Sequence, residues 1–352
     1  RRAARVPAGV LDMLHGQPGG VAGPHGGTDV KVLLVHYNPG YGGGAESALH
    51  DHRVALERRG HQVATVYTHP QQAYAAWQPD VVHFHTVHIG LGLGVVEWAQ
   101  REQIPHVLSL HDYWPFCADR MLMRHGAHPG APDAPCSAVD GVCDGQCASR
   151  PSGLAPVVNG SPTVVFSEYA AAIYRRNGVR VDFIAPHGVD ADLFHPAEEP
   201  VADLRAVTMS AYPAWNTKGM HVLRKAALAA RLPVHLITGL ARADVPGVLR
   251  RYSAFAFPST YQETWGLCLT EAMATGLACV ASAVAGPLDQ IEDGVNGLLV
   301  PPRDAGALAD ALGRLRDPAL RARLGAAARA TVEARFTLGH LGERLEAIYE
   351  QL

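Results

Sequence analysis

The 352-residue chain lacks a surplus of basic residues: 30 Lys and Arg stand against 33 Asp and Glu, for a formal net charge of −3. That balance gives no support to nucleic acid as a partner, because phosphate backbones are held by clustered cations. Long apolar runs are missing too, and none approaches the roughly 20 residues that span a bilayer. The opening stretch RRAARVPAGVLDMLHGQPGG is basic but has only a short apolar patch before Gly and Pro. It reads as a tail, residues 1–30, rather than a secretory signal. Six cysteines in this length do not suggest a secreted disulfide scaffold. These absences leave a cytoplasmic globular chain as the expectation, and 48% apolar with 18% charged residues agrees with it.

From Lys31 onward, short β-rich runs alternate with helical stretches. VLLV (32–35), HQVATVY, DVVHFH, HVLSLHD, TVVFS and VDFIAP read as strands, with a helix near 45–59 after a glycine loop. Around 190–203, DADLFHPAEEPVAD breaks the periodicity with acids and prolines, which suits a linker. A second series follows, with strands AVTMSA, VHLIT, AFAFPS, CVAS and GLLVPP and helices near 219–230, 246–252, 267–275, 287–292 and 305–315. The pattern implies α/β architecture with two Rossmann-like, doubly wound parallel sheets, residues 31–196 and 203–334, facing a cleft. The segment 335–352 carries Leu338, Leu341, Leu345 and Ile348 on one stripe and is expected to pack back on the first domain.

The stretch YQETWGLCLTEAMATG (261–276) places Glu263 on a loop after strand 254–257 and Glu271 inside the next helix. Gly266 opens that helix, whose first N–H groups have no intrahelical partner and, with the dipole, favour a phosphate or diphosphate. Glu271 lies five residues on, roughly 7 Å along the axis. A diphosphate at the helix start therefore has a carboxylate on each side. Carboxylates accept hydrogen bonds from hydroxyls, so one acid can hold a ribose and the other a sugar ring.

The stretch 257–304 closely resembles the donor-binding signature of retaining glycosyltransferases of family 4, which have the GT-B fold. YGGGAE, PDVVHFH, SLHD, PHGVDADLFHP and TKGMHVL extend the resemblance over roughly residues 31–345. It implies that Glu263 binds the hydroxyls of the donor sugar. Gly266 and Leu267 offer backbone N–H groups to the diphosphate, and Glu271 binds the ribose. Trp265 stands in the donor segment where Phe is more usual, a change of packing. Lys218 matches a lysine directed at the donor phosphates. Many members carry an Arg six residues before that lysine; here Tyr212 stands there, and Arg242 is the candidate to replace it. The chain between VHLITG and AFAFPS is short for the family, as if one βα unit were cut down.

In the first domain, NPGYGGGAESALH (38–50) joins a strand to a helix. Matched to the family, Gly42, Gly43 and Gly44 close over the donor diphosphate or the acceptor; a flexible turn is the other reading. His111 and Asp112 end the strand HVLSL, and His111 is the candidate catalytic imidazole. His83, His85 and His88 (HFHTVH) are read as strand-end residues near the acceptor pocket rather than metal ligands. The DAD at 190–192 falls in the linker and is given no metal role. Cys117, Cys136, Cys143 and Cys147 fall in a long irregular stretch, 113–150, read as a flap over the acceptor side. A structural zinc site leads there, with reduced thiols and disulfides as the alternatives.

The expected activity is transfer of a hexose from a nucleoside-diphosphate sugar, UDP favoured, with retention and without a catalytic metal or other cofactor. The acceptor is a natural product, a thiol precursor, or a cell-envelope glycan or lipid. Membrane contact is peripheral at most, at Arg58–Arg59 or Arg175–Arg176. The Ala- and Arg-rich composition points to a high-GC bacterium and so to secondary metabolism. A related phosphorylase or sugar-nucleotide epimerase, and a non-catalytic nucleotide-sugar-binding protein, are the competing readings.

Overall fold

The computed structural model describes residues 29–38, 43–117, 120, 123–124, 134–135, 154–211 and 216–352. In the first half, strands β1 (Lys31–Val35), β2 (Gln62–Val66), β3 (Val81–His85), β4 (His106–Ser109), β5 (Thr163–Val165) and β6 (Phe183–Ile184) form one sheet. Their order is β2-β1-β3-β4-β5-β6, all parallel. Helices α1 (Gly44–Glu57), α2 (Pro70–Trp77), α3 (Gly94–Arg101) and α4 (Glu168–Arg176) connect them. Helices on both faces explain why Val32 to Val35 are all buried.

The second sheet runs β8-β7-β9-β10-β11, again parallel, from β7 (Ala206–Met209), β8 (Val234–Ile237), β9 (Ala254–Phe257), β10 (Ala278–Ser282) and β11 (Leu298–Val300). Its helices are α5 (Met220–Ala229), α6 (Val245–Leu249), α7 (Leu267–Ala274), α8 (Ala285–Gln290), α9 (Ala305–Arg314) and α10 (Pro318–Arg335). The two parallel-sheet domains match the expected fold class. A 3-10 turn, Arg242–Asp244, and the five-residue α6 link β8 to β9, so β8 lies at the sheet edge with Leu236 exposed. Helix α10 adds to the helices named from the sequence, which leave 318–335 unassigned. Its alanine- and arginine-rich run has only a thin buried line, at Arg321, Leu324, Gly325, Ala328 and Val332.

The chain then crosses back. Helix α11 (Leu338–Tyr349) starts on a capping box at Thr337 and His340 and packs against α1 of the first domain. Arg59 and His61 both pair with Glu346, at 2.6 and 2.7 Å. The two crossings are stitched together: Val189 N donates to Phe336 O and Leu338 N donates to Val189 O.

In each sheet the strand order reverses once, between β1 and β3 and between β7 and β9. Ligands of open α/β sheets settle at the carboxyl ends of the strands beside that reversal. In the second domain, Lys218 follows β7 and Glu263 follows β9. In the first, the segment carrying Gly43 and Gly44 follows β1, and His85 ends β3.

Candidate donor site and the facing histidine cluster

Two loops meet above the second sheet. Thr217 O accepts from Thr260 N at 2.8 Å, which ties the turn after β7 to the loop after β9. Gly219 makes the close approach possible: its φ is +69°, and a Cβ there would overlap the Pro258 carbonyl oxygen. The result is a tight polar knot. Lys218 Nζ lies 2.8 Å from Glu263 Oε1 and 3.3 Å from the Tyr261 hydroxyl. Ser259 Oγ donates to Oε1 at 2.9 Å and Tyr261 OH to Oε2 at 2.6 Å. Burial pulls the Lys218 ammonium down, but Glu263 and Tyr261 outweigh it and hold its pKa above the usual value.

Gly266 caps α7 with φ +100°, a left-handed conformation that only glycine adopts without strain. Among the described residues, none accepts a hydrogen bond from the N–H of Gly266 or Leu267. Those donors therefore stand between Glu263 on the loop and Glu271 on the helix. The Trp265 indole is buried, donates to Thr270 Oγ1 at 3.0 Å, packs on Phe336 and stands edge-on to His187 at 6.5 Å.

Glu271 is buried, which raises its pKa, and Arg242 Nη1 at 3.4 Å pulls it back. The same guanidinium reaches across the cleft to Asp51 on α1, with Nη2 2.8 and 2.7 Å from the two carboxylate oxygens. Burial raises the Asp51 pKa to about 7 against the pull of Arg242. Asp51 had no signal in the sequence, because its partner lies 191 residues away. Tyr212 lies outside the described residues.

On the first domain, Gly43 is the N-cap of α1 and Gly44 its first residue; Gly42 lies outside the described residues. His111 faces the donor loop, its carbonyl accepting from Thr264 Oγ1 at 2.8 Å. Its Nε2 lies 2.9 Å from His85 Nδ1, and burial holds its pKa well below the usual value. Around it the structure gathers histidines that the sequence scatters: His52 from α1, His83 and His85 from β3, and His187 from the segment after β6. His88 stacks on Trp114. Cys117 is buried among aromatic residues of the first core, whereas Cys136, Cys143 and Cys147 lie outside the described residues. In the linker, Asp190 pairs with Arg58 and accepts from Asp192 N. No described helix is long and apolar enough to cross a membrane. A separate cavity of about 830 Å³ opens between α5 and β8, lined by Met220, Leu228 and Leu236, and includes none of these site residues.

Comparison with known proteins bears on this geometry. Residues 217–331 match the family model for glycosyl transferases group 1. The alpha-D-kanosaminyltransferase of Streptomyces kanamyceticus is 34% identical over 33% of this chain and 30% of its own length. The D-inositol 3-phosphate glycosyltransferase of Stackebrandtia nassauensis is 28% identical over 79% of this chain and 70% of its own. Among solved structures, Anabaena HepE in complex with UDP and glucose superposes with a TM-score of 0.68 at 18% identity, over 92% of this chain and 100% of that one. Sucrose-phosphate synthase from Thermosynechococcus elongatus gives 0.70 at 20% identity, over 92% and 98%. Residues 217–331 of the second domain thus resemble the group 1 glycosyl transferases, and the chain as a whole has the GT-B fold.

Proposed function

We propose that the protein is a retaining glycosyltransferase that moves a hexose from a nucleoside-diphosphate sugar, UDP favoured, to a hydroxylated acceptor. One observation carries this reading: Lys218, Glu263, Glu271 and the free N–H groups of Gly266 and Leu267 converge at the strand reversal of the second sheet. The diphosphate sits on the α7 N-terminus with Lys218 beside it. Glu271 takes the ribose hydroxyls. Glu263 exchanges its bonds to Tyr261 and Ser259 for hydroxyls of the sugar. As the anomeric carbon–oxygen bond breaks, both bonding electrons leave with the diphosphate. Lys218 and the helix N–H groups stabilise that charge by preorganised electrostatics. The acceptor oxygen attacks from the same face, and its proton passes to the departing phosphate oxygen. His111, across the cleft, supports the sugar. This chemistry uses no metal.

The matched relatives are named for transfer of kanosamine and for glycosylation of inositol 3-phosphate. We therefore favour a polyhydroxylated small molecule as acceptor over a macromolecular glycan.

The test is a thermal-shift panel with UDP, GDP, ADP, TDP and their common sugar conjugates. A nucleotide at a hundredfold excess over its Kd stabilises by about 2.7 kcal/mol. We expect one base to stabilise the wild type and to do so much less in Glu271→Ala. If no nucleotide shifts the melting point, the donor reading fails. Product analysis with acceptor present separates transfer from phosphorolysis or epimerisation.

A further inference from the structure

We propose that His52, His83 and His85 form a binding site for a divalent first-row transition-metal ion, Zn²⁺ in the first instance, in the floor of the cleft. The three residues are buried, and one ligand atom from each lies within 4.8 Å of the others. His83 and His85 alternate on β3 with rings stacked at 4.2 Å, and His52 on α1 brings its ring to 5.5 and 5.0 Å from them.

The hydrogen bonding leaves part of this nest without partners. Both nitrogens of His52 are buried without a partner, as are His85 Nε2 and His187 Nδ1. Protein interiors leave few polar atoms in that state, and here several share one nest. The occupied nitrogens point the same way. His85 Nδ1 meets His111 Nε2, and with the proton on Nδ1 the lone pair of Nε2 is free for the nest. His83 lies 2.8 Å from the Tyr349 hydroxyl through Nδ1 and 2.8 Å from Ser109 Oγ through Nε2. Whichever nitrogen ligates, a hydroxyl remains to fix the other, as outer hydrogen bonds do for metal-bound imidazoles. An all-imidazole set suits Zn²⁺, Cu²⁺ or Ni²⁺ and offers nothing to Mg²⁺ or Ca²⁺, which take oxygen.

Tetrahedral zinc at 2.0–2.1 Å holds its nitrogens about 3.3 Å apart, so the rings draw together by at most about 1.5 Å. His52 gives up no hydrogen bond in doing so. His187, 5.5 Å from His52 ring to ring and with a buried Nδ1 that has no partner, is the candidate fourth ligand. An ion on His85 Nε2 keeps the proton on Nδ1 and thereby sets the tautomer of His111. The site stands whether or not the donor reading holds.

The experiment strips the full chain with EDTA and titrates it with Co²⁺ as a spectroscopic probe, then with Zn²⁺ in competition. We expect one equivalent per chain to give the visible bands of four-coordinate cobalt without a thiolate charge-transfer band, with Zn²⁺ displacing it. His52→Phe, which keeps a ring but offers no nitrogen, is expected to lose that equivalent, and His85→Gln to lose it likewise. A thiolate band, indifferent to both variants, would assign all binding to the cysteine segment and overturn the proposal. So would cobalt uptake unchanged in a folded His52→Phe, or no uptake by the wild type. If His52→Phe does not fold, His85→Gln decides: a melting point that Zn²⁺ still raises as in the wild type overturns the site, and one that Zn²⁺ leaves unmoved supports it.

Discussion

Arg242 of the second domain and Asp51 of the first share a two-oxygen contact across the cleft, 2.8 and 2.7 Å from one guanidinium nitrogen, while the other nitrogen faces Glu271. Removing the cation strands two buried carboxylates. Arg242→Met is therefore expected to cost about 3–5 kcal/mol, the range for breaking one side of a buried pair. Asp51→Asn keeps an acceptor for the guanidinium and should cost less. Urea unfolding of the two variants checks the order, and equal losses would remove the charge from the explanation.

Lys218 lies where a diphosphate would meet the α7 N-terminus. Lys218→Met keeps the length of the side chain and removes the charge. A charge-assisted hydrogen bond contributes about 1.5–3 kcal/mol, so UDP affinity should fall about 10- to 150-fold. Uridine, which has no phosphate, should bind the variant and the wild type alike. Calorimetry with both ligands decides: an equal loss for uridine places Lys218 elsewhere.

Gly219→Ala puts a Cβ onto the Pro258 carbonyl oxygen at positive φ, so the Lys218 turn must separate from the Glu263 loop. Gly266→Ala meets the Phe257 ring at 2.9 Å, also at positive φ. Strain at such positions costs about 1–3 kcal/mol. Gly219→Ala is expected to be the worse of the two, because backbone yields less readily than a ring. Melting temperatures rank them, and Gly313→Ala, inside α9 with open space around it, is the control expected to lose nothing or gain slightly.

His106 gives a pH dependence away from the site. Its Nδ1 is 2.7 Å from Ile104 O and its Nε2 2.8 Å from Ser161 Oγ, and burial lowers its pKa. With the folded pKa below the unfolded value of about 6.5, the unfolded chain binds the proton first as pH falls. Its contribution is thus intact above about pH 6.5 and lost below it, by up to about 1.4 kcal/mol per pH unit until the folded ring titrates. Melts of wild type and His106→Gln between about pH 5 and about pH 7.5 should converge toward the acid end. Parallel curves would show that His106 does not titrate there.

Both sheets were legible because doubly covered parallel strands read as unbroken apolar runs, as at AFAF (254–257) and CVAS (279–282). The start of α7 was legible because Gly266 separates a loop acid from a run of helix formers. What stayed hidden is what forms only at long range. Nothing near Lys218 announces that Glu263, 45 residues on, will hold it, and nothing near Arg242 announces Asp51. The histidines show the same limit. HFHTVH offers local ligands from a single strand, too few to read as a metal site. The third imidazole comes from a helix, at a position that there reads as ordinary core.

Helix α11 has a consequence for how the molecule comes into being. The face of the first sheet that it covers includes His83, whose ring reaches Tyr349 across 266 residues of sequence. A ribosome must therefore translate the whole second domain before the first can close, and the apolar flank of α1 waits uncovered meanwhile. Contacts of such high separation slow folding and leave partly assembled chains open to aggregation. The nascent first domain in this sense waits on its own distant helix for its last wall.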